Sequence, residues 1–118
     1  SAVRDFIHAE DCARGMAAVL ASGESRPVNL GSGRGYSVKQ VVDAVIEACD
    51  TDSEVAWDVD KPSGDAIRIM DTRRAQSLGI FPKITLLDGI QRTATWFRTN
   101  SEKSSSRYNL FIEYECRQ

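Results

Sequence analysis

The sequence predicts an α/β or α+β domain with a small mixed sheet and about four helices. Helical periodicity alternates with short strand-like runs along most of the chain. Its 118 residues suit one domain with one core, and 42% hydrophobic with 27% charged residues is typical of a globular protein. We therefore expect one lobe over residues 1–100, followed by a linker and a terminal strand over residues 101–118.

The first part of the chain is expected to fold as an extended segment, a helix and a short strand. Residues 2–9 are extended, Asp11 can cap the helix that follows, and Gly23 is a plausible helix stop. Residues 28–30 then form a short strand. The apolar positions that recur at helical spacing are Ala13, Met16, Ala17 and Leu20.

A glycine-rich turn and a strongly amphipathic helix follow. Residues 31–35 read Gly-Ser-Gly-Arg-Gly, which lacks the spacing of a dinucleotide-binding loop and favours a plain turn. Ser37 and Gln40 have the spacing of a capping box. The helix that they begin runs to about Cys49, and its apolar face has Val38, Val41, Val42, Val45 and Ile46.

The next segment predicts two strands and a short helix. Residues 55–59 alternate in polarity and indicate a half-buried strand, and residues 66–70 indicate another. Asp71 can cap a helix over residues 72–78, and Gly79 ends it.

Thr85 with Asp88 begins the last helix, whose apolar side has Leu87, Ile90, Ala94 and Phe97. Residues 101–106 have the composition of a flexible linker, and residues 109–114 indicate a terminal strand. Because a tethered strand can pair with the sheet edge of a second copy, it suggests a homodimer.

Composition excludes several classes of protein. The formal net charge of −2 gives no general reason to expect nucleic acid or an anionic membrane as a partner. No apolar run is long enough to span a membrane, and no signal peptide is visible. The three cysteines, Cys12, Cys49 and Cys116, show no metal-ligand spacing, so we expect no metal site and a reducing cytoplasmic location.

Residues 4–11 read Arg-Asp-Phe-Ile-His-Ala-Glu-Asp. This segment resembles the start of the substrate-binding part of the extended short-chain dehydrogenase/reductase enzymes, which are NAD-dependent epimerases, dehydratases and reductases of nucleotide sugars. The resemblance implies that Arg4 contacts the diphosphate of the sugar nucleotide, for which arginine supplies a fixed fork of donors. It also implies that His8 is structural, hydrogen-bonded near the start of the helix, and we assign it no acid or base role.

A second segment, residues 61–71, reads Lys-Pro-Ser-Gly-Asp-Ala-Ile-Arg-Ile-Met-Asp. It resembles a Lys-Pro-Asp-Gly stretch of GDP-fucose synthases and an Arg-Pro-Gly-Asp stretch of the epimerases, which implies that Lys61 and Arg68 approach the sugar nucleotide. Ile67 stands where the fucose-synthase pattern tends to have arginine, and this weakens any assignment of GDP-fucose specificity. A basic turn between two strands is the alternative interpretation.

The chain lacks the parts that would make it an enzyme of this family by itself. The family's catalytic Tyr-x-x-x-Lys pair is absent, because no lysine stands four residues after Tyr36, Tyr108 or Tyr114. We therefore assign no catalytic, cofactor-binding or metal-binding residues and expect NAD(P) only in a full-length parent. The chain alone is predicted to be inactive.

Two functions of different class remain open. In the first, the chain is the substrate-binding domain of a nucleotide-sugar epimerase, dehydratase or reductase, as a fragment, a split subunit or a relic. Arg4, Lys61 and Arg68 then bind a GDP- or UDP-sugar, and a separate Rossmann-domain protein is a possible partner. In the second, the chain is a non-enzymatic, oligomeric interaction protein that has kept the fold and lost the ligand.

Overall fold

A computed structural model of the protein describes residues 2–58, 60 and 64–104, and nothing is stated here about the structure of the others. Within these ranges the chain has a three-stranded mixed sheet and four helices, so the predicted fold class is confirmed. The elements in chain order are β1 (Val3–Arg4), α1 (Ala9–Ser22), β2 (Tyr36–Ser37), α2 (Val38–Cys49), β3 (Ile67–Arg68), α3 (Arg73–Ser77) and α4 (Leu86–Ser104).

The sheet has β1 at its centre, in the order β2-β1-β3. β1 pairs with β2 in antiparallel orientation and with β3 in parallel orientation. Val3 therefore faces Ser37 on one side and Ile67 on the other. Each strand has only 2 residues, so the sheet needs contacts beyond its own ladder to be stable.

The first helix begins one turn earlier than the predicted cap. His8 is the N-cap of α1, and its Nδ1 accepts a hydrogen bond from the backbone N–H of Glu10 at 3.2 Å. The structural role predicted for His8 is therefore confirmed, whereas the prediction that Asp11 caps this helix is wrong. Gly23 ends the helix at a φ of 70°, a left-handed conformation that glycine adopts without strain.

The second helix has both of its predicted ends. The hydroxyl of Ser37 accepts from the N–H of Gln40 at 3.1 Å, and the Gln40 side chain accepts from the N–H of Ser37 at 2.8 Å. The capping box is thus confirmed, and α2 ends at Cys49 as predicted. This helix packs against α4, where Arg98 donates a hydrogen bond to the carbonyl oxygen of Ala48.

Two predicted strands are absent from the described residues. Residues 28–30 are irregular, and Leu30 instead lies against α1, where a Cβ added to Gly15 would come within 2.9 Å of its Cδ2. Residues 55–58 are also irregular, with Val55 and Trp57 exposed, and residue 59 lies outside the described part. Alternating polarity is typical of a strand. A strand forms, however, only where a neighbouring strand can hydrogen-bond to its backbone.

The last two helices depart from the prediction at their ends. The N-cap of α3 is Thr72, and the Asp71 carboxylate accepts from the N–H and guanidinium of Arg73 just beside it. Thr85 begins α4, because its hydroxyl accepts from the N–H of Asp88 at 3.2 Å. α4 continues to Ser104, so residues 101–104 of the predicted linker are helical. The predicted terminal strand lies outside the described residues.

Little apolar surface is fully covered in this lobe. Among the described residues, Ala75 is the one hydrophobic residue that is fully buried, with 3% of its surface exposed. The large hydrophobic residues that are exposed are Phe6, Met16, Leu20, Val45, Val55, Trp57, Ile67, Ile69, Met70, Phe81, Leu87, Trp96 and Phe97. So much exposed apolar surface is typical of a surface that another unit covers.

Within the described ranges, none of the helices combines the length and the apolar content needed to cross a membrane. The same ranges hold no group of three or more His, Cys, Asp and Glu side chains that could bind a metal ion.

Candidate functional site

The sheet brings two of the three predicted ligand-binding cations side by side. In the registers of the two ladders, Arg4 on β1 lies opposite Tyr36 on one side and opposite Arg68 on the other. Residues directly opposite each other on neighbouring strands share a face of the sheet, about 5 Å apart. Tyr36, Arg4 and Arg68 therefore form one row across the sheet, called the arginine row below.

Arg4 is anchored by neutral oxygen atoms. Its Nη1 donates hydrogen bonds to the carbonyl oxygens of Val3 and Asp65, both at 2.8 Å. The side chain is half-buried, and no carboxylate pairs with it within the described part of the chain. The guanidinium thus keeps its full positive charge and further N–H donors in a fixed position.

Arg68 is exposed, and its side chain has no hydrogen-bond or ion-pair partner among the described residues. Two neighbouring guanidinium groups without a carboxylate repel each other. An anion that spans both would relieve that repulsion. Lys61, the third predicted residue, lies outside the described residues, so its place beside these two stays a prediction.

Asp5 joins the three segments that flank the arginine row, a role that the sequence reasoning missed. Its carboxylate accepts from the N–H and the hydroxyl of Ser32 at 2.8 and 2.5 Å, from the N–H of Gly33 at 3.0 Å and from the N–H of Met70 at 3.2 Å. One side chain thus joins β1 to the turn before β2 and to the segment after β3. Its only signal in the sequence is its place beside Arg4.

The contacts of Asp5 also show that the glycine-rich turn, residues 31–35, has a structural role. The N–H groups of Ser32 and Gly33 point at Asp5 and are not available to a phosphate. Gly31 must lack a side chain, since a Cβ there would lie 2.8 Å from both Asp5 Oδ2 and Met70 Cβ. The interpretation of residues 31–35 as a structural turn is therefore confirmed. Ser37 also caps α2, so the N–H of Gln40 at the start of that helix already has an acceptor.

Asp11 joins α1 to the segment before α4. It is 5% exposed, and its carboxylate accepts from the N–H of Lys83 at 3.0 Å and from the N–H of Ile84 at 2.8 Å, with Arg14 as an ion-pair partner. Burial would raise the pKa of Asp11, but the two backbone N–H groups and Arg14 together outweigh it and hold the pKa below its ordinary value. The group is thus a structural anion.

Comparisons with known proteins identify relatives over most of the chain. No family model matches it. GDP-L-fucose synthase 1 of Arabidopsis thaliana is 33% identical over 102 residues, which are 85% of this chain and 31% of the relative. The chain therefore spans about a third of the length of the curated relatives it matches.

Solved structures show the same likeness in three dimensions. The UDP-glucose 4-epimerase of Bifidobacterium longum, in complex with NAD+ and UDP, matches with a TM-score of 0.74 and 30% identity, covering 86% of this chain and 31% of that one. The UDP-glucose 4-epimerase of Thermotoga maritima with UDP-glucose matches with a TM-score of 0.74 and 31% identity, covering 85% of this chain and 33% of that one.

Proposed function

We propose, from the premise that this chain is homologous to a part of the NAD-dependent epimerase/dehydratase family, that it is a lobe that binds the diphosphate of a nucleotide sugar. The observation that carries the proposal is the pairing of Arg4 with Arg68 in the register of β1 and β3. Neither side chain has a carboxylate partner among the described residues. Lys61 would be a third cation of the same site.

The chemistry of the arginine row suits a diphosphate better than a single carboxylate. The two arginines stand on adjacent strands, whose backbones lie about 5 Å apart, and each guanidinium presents a fork of donors. A diphosphate carries charge on both of its phosphate groups and can accept from both forks. Arg4 is held at the carbonyl oxygen of Asp65, so less conformational entropy is lost when the ligand binds. Fucose-synthase and epimerase relatives both act on sugars that carry such a group, as their names state.

A second unit would complete the pocket. The four apolar positions of α1 predicted from helical spacing, Ala13, Met16, Ala17 and Leu20, are all exposed. Met16 is 63% and Leu20 is 85% exposed, and a stripe of this kind favours contact with another surface. We take that surface to be a dinucleotide-binding Rossmann domain, because the relatives are about three times as long and one solved relative holds NAD+. Homodimerisation through residues 109–114 stays a prediction.

Titration calorimetry with UDP-glucose and a GDP-sugar tests the diphosphate site. We expect Arg68→Gln to weaken binding about tenfold, the cost of one charge-assisted hydrogen bond to an anion. The Arg68 side chain makes no hydrogen bond or ion pair within the described part of the chain, and glutamine keeps the backbone pairing of β3, so the fold should be unaffected by this replacement. Arg4→Gln should weaken binding at least as much.

The matched control is Arg73→Gln, which removes an exposed guanidinium that is paired with Asp71 away from the arginine row. Equal affinities of the wild-type protein and the Arg68→Gln variant, with Arg73→Gln unchanged as well, would remove the arginine row from any ligand site.

The isolated chain is expected to show no turnover of UDP- or GDP-sugars in the presence of NAD+ or NADPH. Tyr36 is followed four residues later by Gln40, and Gln40 is occupied in the capping box. The family's tyrosine–lysine pair is therefore not available there. Product analysis by chromatography after long incubation with the pure protein is the measurement, and any NAD(P)-dependent product would refute this part of the proposal.

A further inference from the structure

An apolar groove of about 420 Å³ lies between α2, α4 and the segment that joins β1 to α1. None of the described residues that line it is Asp, Glu, Lys or Arg. Each helix contributes residues that follow one another at helical spacing, Val41, Val45 and Cys49 on α2 and Ile90, Ala94 and Phe97 on α4. We call this cavity the α2–α4 groove.

The few polar side chains at the α2–α4 groove already have hydrogen-bond partners in the helices beside it. The hydroxyl of Thr93 donates to the carbonyl oxygen of Gly89 at 2.8 Å. The hydroxyl of Thr85 accepts from the N–H of Asp88 at 3.2 Å. His8 accepts from a backbone N–H of α1. The groove therefore suits an apolar occupant better than a polar or charged ligand.

The apolar face of α2 is not covered by the described part of the chain. None of the residues of this helix is fully buried, although the helix packs against α4. Val45 is 42% and Phe97 is 59% exposed. Most of the stability of an amphipathic helix comes from packing of its apolar face. We therefore expect a further apolar segment on the groove.

The chain itself has such a segment after α4. Residues 110–114 read Leu-Phe-Ile-Glu-Tyr, which begins with three large apolar residues in a row. One contact shows which end of the groove is closer to them. Arg98 donates a hydrogen bond to the carbonyl oxygen of Ala48, so Phe97 and Cys49 lie at the same end of the groove, toward the C-terminal end of α4.

The length of chain after α4 is sufficient to reach this end of the groove. Phe97 lies about 10 Å along the helix axis from Ser104, the last residue of α4. The stretch from Ser104 to Leu110 can span up to about 20 Å when extended. Because the tether is short, residues 110–114 have a higher effective concentration at this groove than the same residues of a second copy.

We propose that residues 110–114 lie in the α2–α4 groove of their own chain and cover the apolar faces of α2 and α4. The sheet is a poorer site for them, because each of its strands has only 2 residues and offers a short ladder. The inference does not depend on the arginine row. It competes with homodimerisation through residues 109–114, in which a second copy receives the segment.

The thiol of Cys49 reports on this groove, because it lines one end and is free and exposed in the described structure. We expect Phe111→Ser to raise the rate at which N-ethylmaleimide modifies Cys49 about tenfold, as measured by peptide mass spectrometry. Cys12 on α1 is the internal reference and should react at an unchanged rate. Tyr108→Ser, which removes an aromatic residue outside the proposed segment, is the matched control and should leave both rates unchanged.

Val45→Asp tests the groove from the other side, since a charge there should expel an apolar segment. Chymotrypsin should then cleave after Phe111 several times faster than in the wild-type protein. Val55→Asp is the matched control, because Val55 is 40% exposed, close to the 42% of Val45, and does not line the groove. Phe111→Ser changes none of the described residues, so the first experiment decides the proposal even if Val45→Asp fails to fold.

Protection of Cys49 in a monomer, independent of protein concentration and lost in Phe111→Ser, would confirm the proposal. Equal rates of Cys49 modification in the wild-type protein and in Phe111→Ser would overturn it. Protection that rises with protein concentration, together with dimers in light scattering, would also overturn it and would place residues 110–114 on a second copy.

Discussion

Replacement of Asp5 by alanine is expected to lower the free energy of unfolding by about 3 kcal/mol, because it leaves several donors without an acceptor. The carboxylate accepts four hydrogen bonds, three of them from the backbone N–H groups of Ser32, Gly33 and Met70. These donors belong to segments 27 and 65 residues away along the chain. The variant therefore loses the contact that holds the turn and the end of β3 against β1.

Urea denaturation followed by circular dichroism measures this effect. Asp43→Ala is the matched control, since it removes an exposed carboxylate that pairs with Lys39 on α2 and should cost about 0.5 kcal/mol or less. Asp5→Asn, which keeps one acceptor oxygen, should fall between the two. If Asp5→Ala were no less stable than Asp43→Ala, Asp5 would not hold these segments together.

Asp11→Ala is expected to have the next largest effect, about 2 kcal/mol, for a related reason. It leaves the N–H groups of Lys83 and Ile84 without their acceptor at the point where the segment before α4 meets α1. Glu10→Ala is its control, because Glu10 pairs with Arg14 and Arg92 but is exposed and accepts no backbone N–H from the described residues. Thermal denaturation should therefore give Asp11→Ala a lower melting temperature than Glu10→Ala.

The pH dependence of stability gives a second readout for Asp11. The folded-state pKa of this carboxyl lies below its ordinary value of 3.8. A group with a lowered pKa contributes stability that is fully present above the ordinary value and is lost as the pH falls through the folded-state value. The wild-type protein should thus lose stability below about pH 4 more steeply than Asp11→Ala. Parallel curves for the two proteins would show that Asp11 does not titrate with a lowered pKa.

Local signals in the sequence predicted local structure well. The capping box of Ser37 and Gln40, the left-handed glycine after α1 and the Thr85 start of α4 all involve residues within a few positions of one another. The stability of each cap depends on residues within a few positions of it, so a short stretch of sequence is enough to predict the cap. The helices were accordingly predicted with small errors at their ends.

Interactions between distant residues explain the errors. Asp11 has the residue type and position of a helix cap, yet its carboxylate binds N–H groups more than 70 residues away. The patterns at residues 28–30 and 55–59 fit strands, but residues 28–30 and 55–58 have no partner strand among the described residues. Such partners are distant in the sequence and come close only in the tertiary fold, so a short stretch of sequence cannot predict them.

The candidate site was predicted in part. The resemblance of residues 4–11 and 61–71 to a known family identified Arg4 and Arg68, and only the strand register puts them next to each other.

The central position of β1 in the sheet determines when, during folding, the arginine row forms. β1 has only 2 residues. Its neighbour β2 lies beyond α1 in the chain, and its neighbour β3 lies beyond α2. The long loop between β1 and β3 must close before the two arginines become neighbours, and such closure is slow compared with helix formation. A partly folded chain with all of its helices formed would therefore still lack the arginine row. If this row binds an anion as proposed, binding should arise late, in the same step that joins β3 to β1.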